Sequence, residues 1–167
     1  MNFEMSDDRR MLADTLKRAL GDGYGFEHRT RVAYEAPFHD PAQWVALSEL
    51  GLFYAFADEA SGGMGGSGFD VAVVFEELGR ALCPEPVLPA LMAIRALGAS
   101  DDVLSGTTCY AVAFGETDAP YALDEVTTEA RETPDGWRLS GRKTVVYGAG
   151  TADRLLILAA APDGPGL

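Results

Sequence analysis

A chain of 167 residues, 47% hydrophobic and 23% charged, can bury a core in one or two domains without disulfide or metal staples and is too apolar to stay disordered. Its formal charge of −13, with thirteen scattered basic residues, argues against a nucleic-acid partner, which needs clustered Lys and Arg. Apolar runs such as 155–162 are too short to span a bilayer, the acidic residues 1–8 lack the order of a secretion signal, and Cys83 and Cys109 form no disulfide framework; a reducing cytoplasm fits best.

Ser6 is a favourable N-cap with Asp7 and Asp8 behind it, and Met11, Leu12, Leu16 and Leu20 follow at helical spacing up to Gly21, which supplies a stop. Residues 21–37 read as a loop anchored by Tyr24, Phe26 and Tyr34. Asp40-Pro41-Ala42-Gln43 gives a second helix its N-cap, first-turn proline and box partner; Trp44, Leu47 and Leu50 form its buried stripe and Gly51 ends it. Residues 58–68 read as a flexible glycine-rich connector. Ser67 and Asp70 then make a capping box for a helix through Phe75, Leu78 and Leu82. Pro84 and Pro86 break it, a fourth helix runs roughly from Val87 to Leu97 up to Gly98, and residues 101–104 add one turn.

The pattern changes near Thr107. Residues 108–114 are β-prone, 125–131 alternate in part, and Pro134-Asp135-Gly136 is turn chemistry before Trp137 and Leu139. Val145-Val146-Tyr147 is strand-like, and Arg154 to Ala160 is a further apolar strand. Helices followed by strands predict an α+β chain, with a helical domain over 1–107 and the beginning of a β-domain over 108–167. Apolar strands need neighbours and cover, and those near the C-terminus are too few. The expected β-domain is therefore incomplete, and the chain reads as the front part of a larger enzyme.

Several motifs are weaker than they look. Gly63-Met64-Gly65-Gly66-Ser67-Gly68 matches the dinucleotide fingerprint, but no strand feeds it and no βαβ unit follows; a tight loop between packed helices is the better reading. Residues 136–144 nearly spell a phosphate loop, yet Arg142 adds a residue before Lys143 and no helix follows, leaving a hairpin with solvent-facing basic residues. His28 and His39 lack partners at metal-ligand spacing and read as surface residues, and no metal site is expected. Glu76 and Glu77 point in different directions on a helix and read as a solvated face. No nucleophile motif is present.

Three segments, taken together, resemble the acyl-CoA dehydrogenase family: Trp44 to Leu52 with Asp58 to Gly65, then Phe75-Glu76-Glu77-Leu78-Gly79-Arg80, then Gly136-Trp137 through Gly141-Arg142-Lys143 to Ala152-Asp153-Arg154. They follow the family's order. The resemblance implies a helical domain followed by the first strands of a β-barrel-like middle domain, FAD as cofactor, and oxidation of the Cα–Cβ bond of an acyl-CoA thioester in lipid metabolism. A flavin-accepting electron carrier would then reoxidise the enzyme. The family's catalytic glutamate lies in the last domain, so no catalytic residue is assigned here and the isolated chain is expected to be inactive and nearly flavin-free. The flavin-facing edge carried over from the family is Phe114, Gly115, Glu116, Val145, Val146 and Tyr147. Backbone contacts are expected at Phe114 and Val146, and the 87–97 helix is expected to wall the acyl chain. Gly115-Glu116-Thr117 lacks the threonine hydroxyl that the family often has there, and Val145-Val146-Tyr147 replaces Trp-Ile-Thr. Such departures resemble the divergent small-subunit branch typified by pimeloyl-CoA dehydrogenase, in relatives of which two unlike chains share the flavin site. A homo- or hetero-oligomer with a sister subunit is expected. The competing reading is a non-catalytic interaction module derived from that family.

Overall fold

The computed structural model describes residues 4–63, 65, 67–98, 100–162 and 164–166; Met64 and Gly66 of the glycine-rich motif, like residues 1–3 of the acidic N-terminus, lie outside them. Helix α1 spans Asp7–Gly23, capped by Ser6, and buries Leu16 and Leu20. It runs past the expected stop at Gly21 because a glycine inside a helix costs only about 1 kcal/mol, less than the anchoring of buried Tyr24 at its end. A second helix, α2 (Phe26–Tyr34), stands where a loop was expected. It buries only Val32, so it has almost no apolar period to read, and its aromatic ends Phe26 and Tyr34 are exposed rather than anchors.

Helix α3 (Pro41–Glu49) starts on the Asp40 carboxylate, which accepts the Ala42 N–H at 2.9 Å. Its buried face is Trp44, Leu47 and Ser48; Leu50 caps the helix and is exposed. The Trp44 indole N–H donates to Gly106 O at 2.8 Å and ties the helix to the chain before the strands. Residues Leu52–Phe56 form a 3₁₀ turn whose Leu52, Phe53, Ala55 and Phe56 lie at the centre of the core. The expected flexible connector contains a second such turn, Glu59–Ser61, held by the Asp58 side chain.

Helix α4 (Gly68–Ala81) opens on the predicted Ser67/Asp70 box, and Arg9 of α1 reaches the Asp70 carboxylate at 2.8 Å. It ends at Leu82, which adopts a left-handed φ of 50° while the Cys83 N–H returns to Leu78 O at 2.9 Å. Glycine is the residue that takes this conformation without steric cost. Because Leu82 is exposed, Leu82→Gly is expected to stabilise the chain by about 1 kcal/mol, read as a higher urea midpoint with unchanged slope. A lower midpoint would mean that the Leu82 side chain contributes more packing than its backbone costs.

Helices α5 (Val87–Leu97) and α6 (Asp101–Leu104) follow at the expected positions. Strand β1 (Tyr110–Ala113) is buried throughout and packs against α5; one core cluster includes Leu16, Phe56, Val74, Ile94, Tyr110 and Val112, so the core is shared across position 107. Strands β2 (Glu129–Thr133) and β3 (Gly136–Ser140) form the expected hairpin across Pro134-Asp135. The apolar stretch near the C-terminus divides at Leu158 into β4 (Arg154–Ile157), parallel to β1, and β5 (Ala159–Ala161), parallel to β2. A last strand, β6 (Gly164–Gly166), completes the order β3-β2-β5-β6. Residues 141–147 are not a strand, in contrast to the sequence expectation, because Val145 sits at φ 51° and breaks the extended run. The chain is thus α+β, helices first, with two small sheets and no closed barrel among the described residues. No helix among the described residues is long and apolar enough to cross a membrane.

Candidate functional site

The C-terminal end of β1 delivers Phe114, Gly115 and Glu116 beside the loop that carries Val145, Val146 and Tyr147, because the Thr144 N–H donates to Gly115 O at 2.9 Å. Both loops are held by glycines with no room for a side chain. A Cβ at Gly115 would stand 2.7 Å from Pro120 O, and one at Gly148, where φ is 72°, would stand 2.7 Å from Pro89 Cγ. The second contact presses the 145–147 loop onto the first turn of α5. The six residues singled out in the sequence are therefore gathered on two adjoining loops.

Their chemistry differs from one to the next. Glu116 and Lys143 form a buried ion pair at 2.8 Å, with side chains 6% and 7% exposed. The solvent-facing lysine expected from the hairpin reading is corrected: β3 stops at Ser140, and Lys143 turns inward to reach Glu116 and Phe114 O at 3.1 Å. Glu116 also accepts the Thr128 N–H at 2.8 Å, the Thr127 N–H at 3.0 Å and the Thr127 hydroxyl. Led by Lys143, these donors hold its carboxyl well below the usual range. The carboxylate is thereby committed to joining three loops, and sequence reasoning missed the pairing because its partners lie 11 to 27 residues away. By contrast, Val145 is 70% exposed on its left-handed backbone, and Tyr147 is also exposed.

Beside Phe114 lies an apolar cavity of about 650 Å³ between α4, α5 and β1, lined by Leu91, Met92, Val112 and Leu158 among others. This volume falls in the range of small-molecule sites. Tyr121 and Leu123, both exposed, stand on its border. Leu91, Met92, Arg95 and Ala96 of α5 line one side of this cavity.

The two histidines are not both surface residues. The His39 side chain is only 12% exposed, with Nδ1 3.4 Å from Oε2 of the fully buried Glu85. Their pairing crosses from the α2–α3 loop to the α4–α5 turn, a proximity that no local spacing encodes. His28 is partly exposed, 2.8 Å from Asp40 and 2.9 Å from Arg31. Glu76 lies on an exposed helix face, paired with Arg80, whereas the Glu77 side chain is mostly covered. No group that could hold a metal occurs among the described residues.

Residues 6–101 match the family model described as the N-terminal domain of acyl-CoA dehydrogenase. The acyl-CoA dehydrogenase IpdE2 of Mycolicibacterium smegmatis is 39% identical over 95 residues, covering 56% of this chain and 30% of the relative. A solved Tcur3481-Tcur3483 steroid ACAD variant superposes with a TM-score of 0.81 at 30% identity, over 96% of this chain and 47% of that one. The ChsE4-ChsE5 complex from Mycobacterium tuberculosis superposes at 0.77 and 25% identity, over 99% and 47%. The chain spans less than half the length of each of these relatives.

Proposed function

The chain belongs to the acyl-CoA dehydrogenase family, and on that premise we propose that it forms the acyl wall and flavin-facing edge of an FAD-dependent enzyme oxidising the Cα–Cβ bond of an acyl-CoA thioester. What supports this is the meeting of the apolar cavity with the two gathered loops: Phe114 lines the first and belongs to the second.

The residues present fit a flat, largely apolar ring. Phe114, Val145 and Tyr147 would offer it apolar and aromatic surface, and the crowded Gly115 fixes the strand end between them. Glu116 would hold the edge in place through Lys143 rather than touch the ligand. When bound, FAD supplies the hydride acceptor that no side chain offers. Leu91, Met92, Val112 and Leu158 would bind the acyl chain and exclude water from it. Removing an α-proton needs a carboxylate base and a hydrogen-bond donor to the thioester oxygen. Neither role is assigned to a residue of this chain. One solved relative is a complex of two named components, ChsE4 and ChsE5. By extension, a sister subunit would complete the site in a cytoplasmic oligomer, and an electron carrier would reoxidise the flavin.

The test is co-expression with the genomic neighbours, followed by purification through a tag on this chain. A yellow complex whose flavin absorbance bleaches anaerobically on addition of an acyl-CoA is expected. A colourless complex in which no acyl-CoA elicits a flavin signal would replace this reading with a non-catalytic interaction module.

A further inference from the structure

Residues 114–128 join β1 to β2 in a connection longer than most between neighbouring elements, a length characteristic of lids and binding loops. Its two ends are tied together. The Glu116 carboxylate accepts the Thr127 and Thr128 N–H groups at 3.0 and 2.8 Å, and the Glu116 N–H donates to Ala119 O at 3.3 Å. What lies between is a loop of the Ω kind, closed at its neck.

The tip of this loop differs from the neck. Among the described residues, Tyr121 to Val126 take part in no hydrogen bond or ion pair, and they form no helix or strand. A stretch of backbone held by none of its own polar groups moves at the low end of a fold's stability range. Yet this tip carries two large apolar side chains. Tyr121 and Leu123 are 80% and 60% exposed while both line the cavity beside Phe114. Keeping them in water costs free energy that an apolar ligand beneath them would recover. Asp118, Asp124 and Glu125 are exposed on the same loop and favour its hydrated form while the cavity is empty.

We propose that residues 121–126 form a lid that swings on the neck at Glu116, and that Tyr121 and Leu123 close onto the acyl chain once it enters. This rests on the cavity being the acyl site. The form seen here is the open one, because both side chains mostly face water. A ligand shifts the lid toward closure by offering apolar surface that only the closed form covers, and closure shields the acyl chain from water. The neck stays fixed meanwhile: Glu116 keeps Lys143, Thr127 and Thr128 in both forms, so the motion is confined to the tip. Covering two large side chains gains more than ordering the tip costs, a surplus of about ten-fold in affinity.

The probe is the N-acetylcysteamine thioester of octanoic acid, which lacks the phosphates of coenzyme A. It is titrated calorimetrically into the 167-residue chain, alone and in its copurified complex, and amide exchange is followed with and without it. The amides from Tyr121 to Val126 are expected to exchange fast in the free protein and about ten-fold more slowly when the thioester is saturating. Those of Thr127 and Thr128, bonded to Glu116, are protected in both states. The double variant Tyr121→Ser, Leu123→Ser keeps the thermal midpoint, since both side chains are exposed, but binds the thioester about ten-fold more weakly through faster release. Leu91→Trp, which fills the cavity, weakens binding in the wild-type background. Unchanged affinity in the double variant, or exchange at 121–126 that ignores the thioester, overturns the lid while leaving the acyl cavity standing. Failure of the thioester to bind any form overturns the cavity reading and the lid with it.

Discussion

Lys143→Met is expected to lower the thermal midpoint by on the order of 10 °C at neutral pH. Methionine keeps the length of the side chain and removes its charge. Glu116 would then remain buried with the two backbone N–H donors and the Thr127 hydroxyl, but with no counter-ion, and Phe114 O would lose its ammonium donor. A buried charge stripped of its partner is among the larger single-site penalties a fold meets. The pH dependence follows from the depressed carboxyl of Glu116. Its stabilisation is present above the unfolded glutamate value of about 4.3 and is lost as pH falls through the lower folded value. The wild type should therefore weaken in acid, and the gap to Lys143→Met should narrow there. Melts recorded at neutral pH and well into the acid range measure this directly. Amide exchange at Thr127, Thr128 and Thr144 should also quicken, since these N–H groups join the loops that the pair connects. Identical melting of the two proteins at neutral pH would mean that the candidate edge is held by other contacts.

This ion pair marks where the sequence stops being readable. Boundaries set by neighbours in the chain were legible: the Ser67/Asp70 box, the Asp40-Pro41 start, and the stretch from Val87 to Leu97 bounded by Pro86 and Gly98 all appear in the fold. Helix α2 was not, because a helix that buries one residue lacks the periodicity that identifies one. The Leu52–Phe56 turn has the composition of a short strand or helix alike, and only the burial of Leu52, Phe53, Ala55 and Phe56 settles its place. Gly115 and Thr144 could be set on one edge only through the resemblance, since 28 intervening residues separate them and a single hydrogen bond between two loops leaves no local turn signal. The same holds for the inward turn of Lys143. A basic residue in a predicted hairpin looks solvated until its distant acid is found.

A second buried carboxylate gives the other large effect, with the opposite dependence on pH. The side chain of Glu85 is fully covered, and its Oε1 accepts the Tyr24 hydroxyl at 2.5 Å and the Asp40 N–H at 2.9 Å. It thereby ties the end of α1 and the start of α3 to the turn before α5. Glu85→Ala would leave both donors buried without an acceptor and should cost about 3 kcal/mol. Glu85→Gln keeps an acceptor oxygen for both and should cost about 1 kcal/mol or less. Burial, the largest influence, pushes the Glu85 carboxyl up, although the Tyr24 and Asp40 donors and His39 oppose it. Protonation also meets a need in the structure. Oε2 and His39 Nδ1 lie 3.4 Å apart, and both are buried without a hydrogen-bond partner; a proton on the carboxyl would give Oε2 a hydrogen to direct toward Nδ1. The other groups facing this carboxyl stay protonated: burial raises the Tyr24 hydroxyl and pushes the Cys83 thiol up to about 11. Since the folded state holds the Glu85 proton more tightly than the unfolded state, its contribution is fully present below the unfolded value of about 4.3 and declines as pH rises through the raised folded value. Urea titrations across that window should show Glu85→Gln losing this decline while the wild type keeps it. Parallel pH profiles for the two proteins would mean that Glu85 ionises without penalty, and that its buried position is offset by charge from its neighbours.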